Sequence, residues 1–190
     1  MARATFYNKR LLGHIDDIDF TDYQGIGSDP LYKRYKSVES VVKSRILPQY
    51  QSFLSCPFYE DGSIFWYVDE WNDAPQKFTE LSGLEKDRYT SIKAETIKHY
   101  QETLKKLNPE EFSILNGALK YINDEFIYCY DGKVVLIAWG MRLDDSKHTS
   151  EGKWFKTAVR YDKKKISFDL AGHGKLSMSK AGIPYLTVIN

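Results

Sequence analysis

The 190-residue chain carries 42% apolar and 28% charged side chains, which supports a buried core and excludes the charge-rich, apolar-poor composition of disordered chains. With 27 basic and 26 acidic residues the formal net charge is +1, so no overall field draws the chain to nucleic acid or an anionic membrane. The longest apolar run, Val134 to Trp139, is far below the ~20 residues that cross a bilayer, and no membrane partner is expected.

In chain order, residues 1–10 are polar and basic, and the Leu11-Leu12 pair is cut short by Gly13, His14 and Asp16. The ~7–15-residue apolar core of a secretion signal is missing, so a cytoplasmic location is expected. Residues 1–27 show no clean period and are expected as an irregular arm or a short edge strand. Ser28-Asp29-Pro30 reads as a helix start, and Leu31, Tyr35, Val38, Val42 and Ile46 draw one apolar stripe down a helix that ends near Pro48. Residues 50–58 are ambiguous. Asp61-Gly62 marks a turn before a strand from Ser63 to Asp69, in which Ile64, Trp66 and Val68 alternate with Phe65 and Tyr67. A loop is expected over 72–83.

Tyr89, Ile92, Ile97, Tyr100, Leu104 and Leu107 then mark a long amphipathic helix. Asn108-Pro109-Glu110-Glu111 ends it and caps the next, which runs to about Asn123, so the two form a helical hairpin. Phe126–Tyr130 and Lys133–Trp139 flank Asp131-Gly132, the signature of a type I′ hairpin turn. Val134–Trp139 is apolar throughout, which predicts a central strand buried on both faces. Further strands are expected over 154–160, 166–170 and 185–189. Helices followed by strands predict an α+β fold, with helices packed on a mainly antiparallel sheet formed largely by the C-terminal third. No linker-like stretch divides the chain, so a single domain over 1–190 is expected.

Several segments carry partial chemical motifs. Gly25-Ile26-Gly27 has proline at position 30 where a dinucleotide fingerprint needs glycine, and Gly172-His173-Gly174-Lys175 lacks the spacing and the following Ser/Thr of a phosphate loop. No cofactor is expected. Asp16, Asp17, Asp19 and Asp22 do not follow a calcium loop, which points to a solvated acidic arm. His14, His99, His148 and His173 are scattered, while Cys56 and Cys129 stand in unrelated segments, so neither a metal site nor a disulfide framework is expected.

The densest polar cluster is the 144–151 loop, where His148 with Asp144, Asp145 or Glu151 offers imidazole and carboxylates for acid–base, hydrolytic chemistry. The plainer account is a hairpin loop that is polar for solubility. Trp154, Lys156, Arg160, Tyr161, Lys163, Lys164 and Lys165 form a basic and aromatic stretch that could grip phosphates and stack bases. Against this, a charged turn with core aromatics gives the same pattern, and nucleic acid is not the favoured partner. Residues 166–176, Ile-Ser-Phe-Asp-Leu-Ala-Gly-His-Gly-Lys-Leu, resemble the opening of small β-rich repeats of bacterial surface proteins, a location that the missing secretion signal argues against.

Aromatic residues make up 15% of the chain, with 14 Tyr, 10 Phe and 4 Trp, and such side chains supply large contact area for few rotatable bonds. With no complete catalytic motif, the leading expectation is a non-enzymatic interaction module, a subunit or adaptor of a larger intracellular assembly that binds a protein or itself. An enzyme using the 144–151 loop and a nucleic-acid binder using 153–165 are the alternatives.

Overall fold

Two hairpins, each turned by Asp-Gly, organise the chain. The computed structural model describes residues 9–16, 20–26, 29–143, 169–170, 174–178 and 184–188. Asp61 and Gly62 have φ of 49° and 80°, and Asp131 and Gly132 have φ of 46° and 70°, the paired left-handed residues that a two-residue type I′ turn requires. Two compact units are present, within 1–158 and 159–190.

In the first unit, β1 (Lys9–Asp16), β5 (Cys56–Glu60) and β6 (Ser63–Asp69) form an antiparallel sheet in the order β1-β6-β5. The stretch left open as an arm or an edge strand is therefore an edge strand from residue 9, with a bulge between Leu11 and Gly13. Ile64, Trp66 and Val68 are buried as their alternation predicts. Short pairs complete the N-terminal part: β2 (Phe20–Tyr23) pairs β10 (Met141–Leu143), and β3 (Gly25–Ile26) pairs β4 (Asp29–Pro30).

The predicted helix start at 28–30 is displaced. Pro30 sits at φ −57°, ψ 145°, extended, because Asp29 and Pro30 pair with Gly25 and Ile26. A 3-10 turn over Leu31–Arg34 follows, and α1 runs Tyr35–Arg45. Leu31, Val38, Val42 and Ile46 are buried, so the apolar stripe holds although the helix is shorter.

Between Gly83 and Leu104 lies α2, whose buried row is Tyr89, Thr96, Tyr100 and Thr103. The two threonines are accommodated because their hydroxyls donate to the carbonyls of Ile92 (2.8 Å) and His99 (2.9 Å) one turn back. α3 (Pro109–Leu119) starts on a full capping box: the Asn108 side chain accepts from the Glu111 N–H, and the Glu111 carboxylate accepts from the Asn108 N–H. The helix stops at Leu119 rather than near Asn123, where a 3-10 turn over Asp124–Phe126 takes over.

A second antiparallel sheet has the order β7-β8-β9, with β7 at Gln76–Lys77, β8 at Ile127–Tyr130 and β9 at Lys133–Leu136. Val134 to Met141 are all buried, as the apolar run predicts. The strand itself ends at Leu136 and lies at the sheet's edge, not its centre. Left-handed Ala138 (φ 52°) and Gly140 (φ 71°) turn the chain, while Leu54 forms a parallel bridge to Leu136 that covers the edge. Trp139, beyond the strand, packs edge-on against Trp66 at 5.7 Å and donates from Nε1 to the Ser55 carbonyl at 2.9 Å.

The second unit contributes β11 (Asp169–Leu170), β12 (Gly174–Met178) and β13 (Pro184–Val188), an antiparallel sheet in that order with β13 at its edge. The architecture is α+β, with helices and antiparallel sheets. Alongside the strands expected after residue 126, the first seventy residues supply a sheet of their own. No helix among the described residues is long and apolar enough to cross a membrane.

Candidate functional site

The sequence-based site residues lie outside the described residues: Asp144, Asp145, His148 and Glu151 of the polar loop, and Trp154, Lys156, Arg160, Tyr161, Lys163, Lys164 and Lys165 of the basic stretch. The expected strand over 154–160 lies outside them too. What the structure does bring together is a cleft of about 420 Å³ where α1, the 48–55 segment, the open end of the first sheet and the β8–β9 hairpin meet.

Its floor is set by hairpin geometry. The tight Asp61-Gly62 turn fixes the register of β5 on β6 and places Cys56 opposite Tyr67. Tyr35, the first residue of α1, packs its ring 6.2 Å from Trp139 and lies beside Cys56. Burial pushes the Tyr35 phenol and the Cys56 thiol up from their ordinary values, and the nearby Lys9 ammonium opposes the shift at Cys56 only in part. Tyr130 on β8 is also driven upward, chiefly by burial. All three groups therefore stay protonated at neutral pH. They offer polar contacts and no poised nucleophile.

Charge rings the rim. Lys9 begins β1 and Asp69 ends β6; they are register partners, and their side chains meet at 3.5 Å. Glu39 and Lys43 pair one turn apart on α1 at 2.8 Å. The fifth charged residue lining the cleft, Lys133, opens β9 and makes no ion pair among the described residues. Asp131 is near it, but that carboxylate accepts from the N–H groups of Asn72 (2.8 Å) and Asp73 (3.0 Å), which hold it below the usual carboxylate range. Apolar wall comes from Val38, Val42, Leu54 and Val68.

A second cavity of about 300 Å³ adjoins the first, and Gln49, Ser52 and Lys133 line both. It continues to α2 at Ile92, Glu95 and Thr96. There the Tyr50 hydroxyl donates to Glu95 Oε1 at 2.5 Å and the Tyr50 ring lies 4.8 Å from His99, whose Nε2 accepts the Leu47 N–H at 3.3 Å. His99 thus sits at a half-buried boundary with a structural contact. The 48–53 segment is held on α2 by these contacts and on β9 by the Leu54 bridge.

Other residues noted in the sequence have structural partners. Asp16 of the acidic run accepts from Ser63 Oγ at 2.8 Å, and His14 stacks on Phe65 at 5.6 Å. Both cysteines are free and buried, with the Cys129 thiol pushed up to about 12 by burial. Among the described residues, no group of three or more His, Cys, Asp or Glu side chains could hold a metal ion.

No local pattern could announce the cleft, because its polar residues come from seven elements: β1, α1, the 48–53 turn, β5, β6, β8 and β9. One signal was present: counting back from the Asp61-Gly62 turn sets Cys56 opposite Tyr67, which would have resolved the ambiguous 50–58 stretch into a strand. Compared with protein-family models, with curated proteins and with solved structures, the chain matches none.

Proposed function

We propose that this protein is a non-enzymatic interaction module, a subunit or adaptor of an intracellular assembly that binds a protein partner. The observation that carries this reading is the make-up of the cleft. Its sulfur and phenol groups are held in the protonated, unreactive form by burial, and four of its five charges neutralise one another within the rim. A site built to transform a substrate needs an acid or base poised near the working pH, whereas a site built to hold a chain needs complementary polar and apolar wall. Two of the three cleft lysines are tied to carboxylates and the net charge is +1, which favours protein over nucleic acid. Two buried free thiols fit a reducing compartment.

The test is affinity purification of the tagged full chain from its native host, with protein and nucleic acid in the eluate both quantified. Recovery of one protein in fixed stoichiometry is the expected result. A monomer without a protein companion, or RNA or DNA as the stoichiometric companion, overturns the reading.

A further inference from the structure

We propose that Asp61 is a spontaneous modification site, where the chain rearranges to isoaspartate through a succinimide, and that the matching Asp131 is protected from the same reaction. This goes beyond the interaction-module reading and does not depend on what the cleft holds. Three Asx-Gly bonds occur in the chain: Asp61-Gly62, Asn116-Gly117 and Asp131-Gly132. Such bonds are the susceptible ones, because glycine has no side chain to shield its amide nitrogen. In the rearrangement the Gly62 nitrogen gives up its proton and attacks the side-chain carboxyl carbon of Asp61. A nitrogen–carbon bond forms, one carboxyl oxygen leaves as water, and the succinimide ring closes. Water then opens the ring at either carbonyl. Cleavage at the side-chain carbonyl restores aspartate, whereas cleavage at the main-chain carbonyl leaves the backbone running through the side chain. The water lost is the water regained, and neither oxidant nor cofactor takes part.

The two Asp-Gly turns share their backbone, with φ of 49° and 80° at the first and 46° and 70° at the second, so backbone form does not separate them. Their hydrogen bonds do. The Asp131 carboxylate accepts from the Asn72 N–H (2.8 Å) and the Asp73 N–H (3.0 Å), and the Gly132 N–H donates to the Tyr89 hydroxyl oxygen at 3.3 Å. Electrophile and nucleophile are both engaged there, and ring closure must first break these bonds. The same donors favour the ionised carboxylate, whereas the neutral acid is the form attacked. Asp61 is exposed, and among the described residues no hydrogen bond or ion pair holds its carboxylate. Asn116-Gly117 lies within α3, where Gly117 is buried and its N–H belongs to the helix ladder. Rearrangement at Asp61 adds a methylene to the main chain, which a two-residue turn cannot absorb. β5 and β6 then lose the register that sets Cys56 opposite Tyr67, so the change reaches the floor of the cleft.

The experiment is incubation of the full-length protein in heavy-oxygen water at neutral pH and physiological temperature, followed by peptide mapping. Each passage through the ring places a solvent oxygen in the residue, and electron-transfer fragmentation distinguishes isoaspartate from aspartate. Label and isoaspartate should build up at position 61, with position 131 slower by about tenfold or more and Asn116 likewise slow. In the urea-unfolded chain positions 61 and 131 should convert at equal rates, since the dipeptides are the same. Tyr89→Phe, shown to be folded by circular dichroism and Tm, should speed conversion at 131 severalfold and leave 61 unchanged. Equal rates at 61 and 131 in the folded chain, faster conversion at 131 or 116, no conversion at 61, or a rate at 131 untouched by Tyr89→Phe would each overturn the inference.

Discussion

Trp66 and Trp139 are both fully buried and in edge-to-face contact, yet their indole N–H groups have different fates. Trp139 Nε1 donates to the Ser55 carbonyl, and the Ser55 hydroxyl in turn donates to the Leu136 carbonyl at 2.7 Å, a chain that fastens the 48–55 segment to β9. Trp66 Nε1 has no hydrogen-bond partner among the described residues. Replacing either ring by phenylalanine removes similar volume, but only Trp139→Phe strands a buried carbonyl. Trp139→Phe should therefore cost about 1–3 kcal/mol more than Trp66→Phe in chemical denaturation. Equal losses would contradict the assigned chain.

Asp131 supplies a second test at this scale. The N–H groups of Asp73 and Asn72 favour its carboxylate, so its folded value lies below the unfolded one. Such a group contributes stability above its unfolded value, about 3.9, and the contribution is lost as pH falls through the folded value. Asp131→Asn keeps the left-handed turn and removes the charge. Its Tm should lie below that of the wild type at neutral pH, with the gap closing as pH drops below about 4. A gap that persists unchanged into acid would rule out the carboxylate as its source.

Among the elements, those with strong local instructions were legible from the sequence. The Asp131-Gly132 turn, the strand over 63–69 and the start of α3 at Asn108-Pro109 agree with the structure because two-residue turns, strand alternation and caps are set by neighbouring residues. Asn108→Ala should lower stability by about 1 kcal/mol, read from the urea midpoint, because the Glu111 N–H loses its acceptor. A midpoint that does not move would mean the box is idle. Where pairing partners are distant, local signals misled. Pro30 reads as a first helical residue but is held extended by Gly25 and Ile26, and the Val134–Trp139 run reads as one strand but is broken by a buried left-handed turn at Ala138 and Gly140. Apolar content predicted the burial of that run and could not predict its backbone.

Across the whole molecule, the cleft was not legible in the sequence. Lys9, Tyr35, Cys56, Asp69 and Lys133 are far apart in sequence, and the pairing of β1, β5 and β6, the docking of α1 and the β8–β9 hairpin gather them. What sequence reasoning could reach was the class: α+β, aromatic-rich, near-neutral. The loop and basic stretch it singled out lie outside the described residues, whereas the cleft emerges from long-range topology.

Site-specific photo-crosslinking tests the interaction-module reading most directly: a photoreactive amino acid is placed at Gln49, which lines both cavities, or at Asn116, exposed on α3 and lining neither. Each full-length chain is irradiated in the native host. One protein adduct from position 49 and none of it from position 116 is the expected result. The same adducts from both positions, a nucleic-acid adduct, or no adduct from position 49 would contradict protein binding at the cleft.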